Sequence, residues 1–289
     1  MITKVELNEL LANGPVILDG ATGSNLQKAG MPRGCCTEEW ILAHPQALID
    51  LQASYVQAGS QIIYAPTFQA QPIALEKVGM SKDTERINED LVRLSRSVSE
   101  DVLVAGNLTT LAAFTDSYDE SFFDLLVENY RRQIKGLLAG GADLLAAETL
   151  MYPTEAEAIL TAAELEGAET VFYTFTMQPD GSLFSGRDAA PILRDLEIAG
   201  AAAVGFNCVA ADAMTPGLIS RLRRYVKGPL VCKPNAGNPV ISGDGLPCYP
   251  MKPREFAAIM QECRNMGASI LGGCCGTDPE FIQSIAKIQ

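Results

Sequence analysis

Three cysteines in this 289-residue sequence have the chemistry and the placement of metal ligands. Cys274 and Cys275 are adjacent within a Gly-Gly-Cys-Cys-Gly run, while Cys208 follows a separate apolar run. Neighbouring side chains of a regular strand point to opposite faces of the sheet. Two adjacent cysteines can therefore share one metal ion only where the backbone turns, and flanking glycines permit the backbone angles of such a turn.

Thiolate ligands in this arrangement favour zinc. Tetrahedral zinc binds cysteinate sulfur at ~2.3 Å, and a catalytic site uses three protein ligands and leaves the fourth position open. The alternative is three buried free cysteines, which are common core residues. A pair of adjacent cysteines between glycines is atypical of that alternative, so we predict a zinc site formed by Cys208, Cys274 and Cys275.

The other cysteines are interpreted as non-ligands, of which Cys232 and Cys263 are expected in the core, and the single histidine is interpreted as structural. Five cysteines are predicted not to bind the metal: Cys35, Cys36, Cys232, Cys248 and Cys263. His44 lies within a predicted helix, immediately before Pro45. One histidine cannot support a Ser-His-Asp triad or a histidine-based metal site, so the sequence contains no conventional general base.

The rest of the sequence must supply the elements that bring these cysteines together. Short apolar runs alternate with longer amphipathic stretches, and near-continuous apolar strands are typical of a parallel sheet covered on both faces. The predicted strands are Val16–Leu18, Ile62–Ala65, Val102–Ala105, Leu144–Ala147, Val171–Thr176, Ala203–Phe206, Leu230–Lys233 and Ser269–Leu271. The predicted helices are Glu39–Ala58, Lys82–Ser99, Ser121–Ala139, Thr154–Glu166, Ala189–Ala199, Ala213–Val226, Pro253–Met266 and Pro279–Lys287.

Strict alternation of strands and helices predicts an α/β protein with a closed (β/α)8 TIM barrel, with an open doubly wound sheet as the alternative. No linker or change in composition divides the chain, so we expect a single domain over residues 1–289. Chemistry in such barrels takes place at the C-terminal ends of the strands. Asp19, Glu148 and Asn235 follow predicted strands, as do the three cysteines, and we expect all of them on one rim.

Composition argues against several classes of partner. The formal net charge of −13 disfavours nucleic acid and anionic membrane surfaces, because both attract basic patches. No run approaches the ~20 apolar residues that a membrane helix needs, and the first residues do not resemble a signal peptide. We therefore expect a cytoplasmic protein that binds neither nucleic acid nor membrane and keeps its cysteines reduced.

Several segments resemble the homocysteine S-methyltransferase family, which includes the homocysteine-binding zinc module of cobalamin-dependent methionine synthase and the betaine and S-methylmethionine enzymes. The matching segments are residues 19–23, 55–59, 67–68, 148–149, 205–208, 234–237 and 272–277. The segments that contain the cysteines are the most specific. The sequence departs from the usual family pattern at Pro66, at Gly106-Asn107-Leu108-Thr109 and at Phe281.

The resemblance implies a zinc barrel whose three cysteines activate the thiol of homocysteine. It also implies that Asp19 and Glu148 pair with the ammonium of the substrate. The backbone N–H groups of Gly23 and Ser24 would then hold its carboxylate. Asn235 would fill the fourth position of the zinc before the substrate binds.

Each of these substrate contacts has a structural alternative. Asp19 and Asn235 are also favoured residue types in turns. Glu148 would otherwise form a salt bridge inside the barrel. No basic residue adjoins Glu148 in the sequence, so we expect it to have no salt-bridge partner.

The predicted function is zinc-dependent methyl transfer to homocysteine, which gives methionine. A free thiol with a pKa of ~8.5 is mostly protonated, whereas a coordinating thiol is deprotonated, so zinc would replace the missing base. We expect the chain to lack folate and cobalamin domains and to take its methyl group from a separate corrinoid protein or a small onium compound. Pro66 and the altered third strand end favour the corrinoid protein. The alternatives are a zinc methyltransferase for another thiol and a non-catalytic zinc-binding partner barrel.

Overall fold

Eight parallel strands form the centre of the molecule in a computed structural model that describes residues 1–111, 122–241 and 247–288. Including two short strands outside this central sheet, the strands of the described residues in chain order are β1 (Val16–Ile17), β2 (Ile62–Tyr64), β3 (Leu103–Thr109), β4 (Leu144–Leu150), β5 (Val171–Phe175), β6 (Ala203–Ala210), β7 (Leu230–Asn235), β8 (Val240–Ile241), β9 (Pro247–Cys248) and β10 (Ile270–Leu271). β8 and β9 pair antiparallel outside the central sheet.

The central sheet is closed into a barrel. Its strand order is β1-β10-β7-β6-β5-β4-β3-β2, and every pair of neighbours is parallel. A parallel bridge between Leu18 and Ile62 joins the first and last strands of this order. The predicted (β/α)8 barrel, with all eight of its strands, is confirmed.

Every predicted helix overlaps at least one of the helices that surround the barrel. They are α1 (Lys4–Ala12), α2 (Gly23–Lys28), α3 (Thr37–Ala43), α4 (Pro45–Ala58), α5 (Pro72–Glu76), α6 (Thr84–Arg96), α7 (Phe123–Ala139), α8 (Pro153–Glu166), α9 (Ala189–Ile198), α10 (Thr215–Arg223), α11 (Pro253–Asn265) and α12 (Pro279–Ile285). Helices α1, α2 and α5 and the β8–β9 hairpin were not among the elements predicted from the sequence. Ser121, the first residue of one predicted helix, lies outside the described residues.

The helix predicted over residues 39–58 is wrong as a single element. The structure divides it into α3 and α4, and His44 lies between them with φ −132° and ψ 55°. A proline disfavours the helical conformation of the residue before it, and Pro45 therefore ends one helix and begins the next. The ring of His44 stacks on Trp40, which agrees with a structural role.

A large apolar core supports the strand ends. Strand residues such as Val104 and Phe206 pack in one cluster with helix residues such as Ile134 and Ile159, and all four are buried. Each such side chain contributes ~1.5–3 kcal/mol when it is fully buried. None of the helices in the three described ranges combines the length and apolar character that a membrane crossing requires.

Strands β4 and β6 extend further than predicted, each past an irregularity in its pairing with the next strand. The pairing of β4 with β5 changes register between Ala147 and Leu150, and that of β6 with β7 changes register between Asn207 and Ala210. Inside these irregular segments Thr149 has φ 59° and Cys208 has φ 57°. Bulges of this kind re-aim side chains at the rims of barrels.

Candidate functional site

The three predicted ligands meet at the C-terminal rim of the barrel. The sulfur atoms of Cys208, Cys274 and Cys275 lie within 4.8 Å of one another, and those of Cys208 and Cys275 are 3.9 Å apart. Two sulfurs bound at ~2.3 Å to one tetrahedral ion are about 3.8 Å apart. The donor set therefore fits a single metal ion. No other group of His, Cys, Asp and Glu residues within the described ranges has such an arrangement.

The left-handed backbone at Cys208 places two consecutive residues on this rim. Asn207 is fully buried, and its Nδ2 lies 3.8 Å from the sulfur of Cys274. Cys208 is only partly buried, and its sulfur contacts that of Cys275. A non-glycine residue with positive φ is uncommon outside functional or turn positions. The left-handed conformation of Cys208 is therefore one of the structural features that form the candidate site.

The loop that carries Cys274 and Cys275 is bound to the end of β7. The N–H of Cys274 donates to the carbonyl of Pro234 at 2.7 Å, and the N–H of Ala236 donates to the carbonyl of Cys275 at 2.9 Å. The side chain of Asn235 takes part as well, because its Oδ1 accepts the N–H of Cys275 at 3.0 Å. In this structure the amide of Asn235 thus supports the cysteine loop.

Glycines are required in this loop for steric reasons. A Cβ atom on Gly273 would lie 2.4 Å from the hydroxyl of Thr277, which itself donates to the carbonyl of Cys274 at 2.7 Å. Gly276 has φ 81° and lies against the ring of Tyr249. The Gly-Gly-Cys-Cys-Gly pattern therefore reflects both close approach and a left-handed turn.

A cavity of about 320 Å³ opens beside the thiols. Its walls include seven of the eight predicted site residues: Asp19, Gly23, Ser24, Glu148, Cys208, Cys274 and Cys275. Asn235, which supports the loop from behind, is not among the residues that line it. The sequence therefore identified residues that the fold brings into one space, although they come from four different strand ends.

Lys233 is the main feature of the cavity that the sequence analysis missed. Its Nζ lies 3.4 Å from Oε2 of Glu148, 4.0 Å from Oδ1 of Asp19 and 4.8 Å from the centre of the Tyr64 ring. The expectation that Glu148 has no salt-bridge partner is therefore wrong. β4 and β7 are not neighbours in the sheet, but their side chains meet across the interior of the barrel. The available signal was a lysine within an otherwise apolar strand.

The two carboxylates are buried in different surroundings. Asp19 accepts the N–H of Tyr64 on Oδ2 at 2.7 Å. Burial raises the pKa of Asp19 to about 7, although the nearby charge of Lys233 opposes this shift. Burial also raises the pKa of Glu148, and Lys233 again opposes it. Glu148 accepts a hydrogen bond on Oε1 from Nδ2 of Asn107 at 2.9 Å.

Asn107 and Glu38 are further cavity residues that the sequence analysis did not identify as such. Asn107 belongs to the segment of β3 that departs from the usual family pattern. Glu38 is buried at the start of α3, and its Oε1 accepts the N–H of Gln69 at 2.8 Å. Burial raises the pKa of Glu38. Both residues lie on elements whose contribution to the cavity depends on how the barrel closes.

The thiols themselves share hydrogen bonds. Hydrogen bonds from Cys208 and Cys274 lower the pKa of Cys275. Contacts with the other two thiols raise the pKa of Cys208. Cys275 therefore ionises more readily than Cys208, and a thiol must be deprotonated to bind a metal ion.

Comparison with known proteins places these features in context. The profile of a family described as homocysteine S-methyltransferase matches residues 16–289. Methionine synthase of Mycobacterium leprae (strain TN) is 25% identical over 299 residues, which cover 97% of this chain and 25% of that protein. The chain therefore spans about a quarter of the length of this curated relative.

Solved structures show the same architecture. The metallated form of the homocysteine methyltransferase MmuM from Escherichia coli superposes with a TM-score of 0.84 at 24% identity, covering 97% of this chain and 98% of that one. A methyltransferase from Methanosarcina mazei superposes with a TM-score of 0.62 at 14% identity, covering 94% and 92%. At these identities the likeness establishes the fold.

Proposed function

Because the chain belongs to the homocysteine S-methyltransferase family, we propose that it transfers a methyl group to the thiol of homocysteine and so forms methionine. The observation that carries this proposal is the convergence of three thiols and two buried carboxylates on one cavity of about 320 Å³. A thiol substrate with an ammonium group matches both features, because the thiols hold a metal and the carboxylates attract a cation.

The metal in this proposal is zinc, held by Cys208, Cys274 and Cys275. An all-thiolate set of three ligands suits zinc and leaves one position for the substrate sulfur. When bound, the ion lowers the pKa of a coordinating thiol, so the acceptor is present as the nucleophilic thiolate. The three cysteinates together exceed the charge of a divalent ion, and this excess keeps the sulfur of the acceptor electron-rich.

The amino-acid end of homocysteine would lie further inside the cavity. Asp19 and Glu148 supply negative charge for the ammonium. The first N–H groups of a helix have no partners within it, so those of Gly23 and Ser24 are suitable donors for the carboxylate. The hydroxyl of Ser24 is buried and has no hydrogen-bond partner among the described residues, which supports a polar ligand at this place.

The protein residues then align the reacting atoms. With both ends of the amino acid held, the thiolate faces the methyl donor within the cavity, whose wall includes Pro66 and Phe68. The sulfur attacks the methyl carbon as the bond from that carbon to the donor breaks, and the bonding electrons leave with the donor. Fixing the two partners in line supplies much of the rate enhancement in such a transfer.

We propose a separate corrinoid protein as the methyl donor, with a small onium compound as the alternative. The test is methyl transfer by the zinc-loaded protein to homocysteine from methylcobalamin, S-methylmethionine and glycine betaine, with isotopically labelled methyl groups. Labelled methionine from any of these donors supports the proposed function. Loss of that product in Cys274→Ala would tie it to the thiol cluster, whereas no methionine from any donor would overturn the proposal.

Lys233 favours a second candidate acceptor. Its ammonium lies beside Glu148, where the ammonium of homocysteine was expected. An acceptor thiol without an amino group would leave this pair undisturbed. The des-amino analogue 4-mercaptobutyrate distinguishes the two candidates, because tighter binding of this analogue than of homocysteine would favour the second one.

A further inference from the structure

One buried threonine joins two loops that line the cavity. The loop after β1, residues 19–24, and the loop that contains Cys274 and Cys275 both contribute to the cavity wall. Thr277 is fully buried and does not line the cavity itself. Its hydroxyl accepts the N–H of Ala21 at 3.2 Å and donates to the carbonyl of Cys274 at 2.7 Å. A hydroxyl can accept and donate at the same time, so this single group connects the two loops.

Two further contacts hold the junction between these loops. The N–H of Gly273 donates to the carbonyl of Asp19 at 3.0 Å. Nδ2 of Asn25, on α2, donates to the carbonyl of Thr277 at 2.9 Å and to that of Ala21 at 2.8 Å. The side chain of Asn25 therefore bonds to one carbonyl group on each side of the junction.

The side chain of Thr277 is enclosed between the backbones of the two loops. A Cβ atom on Gly20 would lie 2.9 Å from Oγ1 of Thr277, and a Cβ atom on Gly273 would lie 2.4 Å from the same oxygen. Glycine, which has no Cβ, allows this close approach at both positions. The size of the threonine side chain and its hydrogen bonds together fix the separation of the two loops.

We propose that Thr277 sets the distance between the thiol cluster (Cys208, Cys274 and Cys275) and the loop after β1, and thereby the length of the thiol amino acid that the site accepts. Thr277 is a positioning residue, because it acts through Cys274 and Ala21 and does not line the cavity. This assignment rests on the proposed function, in which the acceptor sulfur lies at the thiol cluster and its polar head group lies against the loop after β1.

A fixed distance allows a site to distinguish ligands of different length. One extra or missing methylene group in a pocket changes recognition by about tenfold to two hundredfold. Such a difference requires walls that do not adjust, because a wall that moved with the ligand would accept either length. The hydrogen bonds at Thr277 form within the protein before any ligand binds, so the two walls are ordered in advance.

The test measures binding of three amino-acid thiols to the zinc-loaded protein by titration calorimetry. Cysteine, homocysteine and 2-amino-5-mercaptopentanoate form a series in which each member is longer than the one before by a methylene group. We expect the wild type to bind homocysteine about tenfold or more tightly than either neighbour in the series. Zinc content is measured after each titration, so that removal of the metal by a ligand is detected.

Thr277→Val removes the hydroxyl and keeps the shape of the side chain. We expect the preference for homocysteine over both neighbours to fall by about threefold to tenfold, the effect of losing a hydrogen bond. Weaker binding of the metal would affect the three thiols alike, so it cancels in the ratios of their affinities. Thr277→Ser, which retains the hydroxyl, should keep each ratio within about twofold of the wild type.

Thr84→Val is the matched control. Thr84 is a buried threonine of α6 whose hydroxyl donates to the carbonyl of Ser81 at 2.7 Å, and it does not line the cavity. This variant should keep the wild-type ratios. Asn25→Ala weakens the same junction from the other loop, and it should reduce the preference for homocysteine as Thr277→Val does.

The outcomes separate this assignment from the proposed function. A reduced preference for homocysteine in Thr277→Val and Asn25→Ala, with the preference retained in Thr277→Ser, supports the assignment. A wild type that binds all three thiols equally well, or a Thr277→Val variant that keeps the preference for homocysteine, would overturn only the role of Thr277. A wild type that does not bind homocysteine would overturn the proposed function itself.

Discussion

Asn207 and Thr149 form two hydrogen bonds with one another, although they lie on β6 and β4, which are not neighbours in the barrel. Oδ1 of Asn207 accepts the N–H of Thr149 at 2.7 Å, and its Nδ2 donates to the hydroxyl of Thr149 at 2.7 Å. Thr174 of the intervening strand donates to the same Oδ1 at 2.9 Å. Asn207 precedes Cys208 and Thr149 follows Glu148, so one side chain connects the thiol cluster with the carboxylate cluster.

We expect Asn207→Ala to weaken the metal site without removing a ligand. Loss of a supporting hydrogen bond behind a metal ligand typically reduces metal affinity about tenfold to a hundredfold. Buried donors left without partners should also lower the free energy of unfolding by ~1–3 kcal/mol. Zinc affinity is measured by competition with a chelator, and stability by urea denaturation.

Asn88→Ala provides the comparison for Asn207→Ala, since it removes a buried asparagine on α6, away from the cavity. This control should lose stability and retain zinc affinity. If Asn207→Ala also retained full zinc affinity, Asn207 would only support the fold.

The purified protein should contain about one zinc ion per chain, bound through three sulfurs. Replacing Cys208, Cys274 or Cys275 by alanine should remove most of the metal, as measured by elemental analysis. Cys263→Ala and Cys35→Ala are the controls, because the first residue is buried and the second is exposed, both outside the cluster. Full zinc retention in Cys274→Ala would contradict the assignment.

Homocysteine should bind directly to the metal. X-ray absorption at the zinc edge should show one additional sulfur neighbour when homocysteine is added, and about one proton should be released per thiol bound near neutral pH. Methionine, whose methylated sulfur cannot ionise, serves as the control and should release no proton. An unchanged zinc environment at saturating homocysteine would argue against activation of the thiol by the metal.

Glu148→Gln should affect stability and binding together. It removes the partner of Lys233, and breaking a buried ion pair in this way costs ~3–5 kcal/mol of unfolding free energy. Homocysteine binding should weaken by about tenfold to a hundredfold, since one of the two carboxylate charges near the ammonium is removed. Zinc content should remain normal.

The double variant Glu148→Gln with Lys233→Met separates the two effects of Glu148→Gln. Removing both charges should recover much of the stability, because neither is left buried alone. Homocysteine binding should stay weak. Recovery of homocysteine binding in the double variant would show that Glu148 serves only to hold Lys233.

Homocysteine binding should also depend on the ionisation of Asp19. Burial raises the pKa of Asp19 to about 7, and the charged or titratable groups that face it are Lys233, Glu148, Tyr55, Tyr64 and Cys274. An acid with a raised pKa in the folded state stabilises the fold while it is protonated, and this contribution is lost as the pH rises through about 7. The ammonium, by contrast, needs the ionised form, so its binding should strengthen over the same range.

The measurement for Asp19 is the ratio of the affinities for homocysteine and 4-mercaptobutyrate from about pH 5.5 to about pH 7.5, below the pKa values of the amino group and of both thiols. Each free ligand is then a protonated thiol throughout, so the effect of thiol ionisation on the pH dependence cancels in the ratio. The ratio should rise with pH in the wild type and become flat in Asp19→Asn. A flat ratio in the wild type would show that Asp19 does not bind the ammonium.

The sequence alone was sufficient for the barrel and for the three thiols. Apolar runs that alternate with amphipathic ones admit few arrangements other than parallel strands covered by helices. Once the strands are parallel and closed, all of their C-terminal ends lie on one rim. Cys208 and the Cys274-Cys275 pair therefore had to approach one another, and the glycines around them marked the turn that makes this possible.

The charge arrangement inside the cavity was decided by the tertiary structure. Lys233 and Glu148 lie on β7 and β4, and they meet only because inward-facing side chains of a closed barrel cross its interior. Which residues face inward near the rim depends on the irregular strand pairing at Thr149 and Cys208. The alternation of residue types in the sequence does not predict this irregular pairing. Oδ1 of Asp19 and Oδ1 of Asn107 have no hydrogen-bond partner among the described residues. This too depends on which donors the folded chain brings within hydrogen-bonding distance.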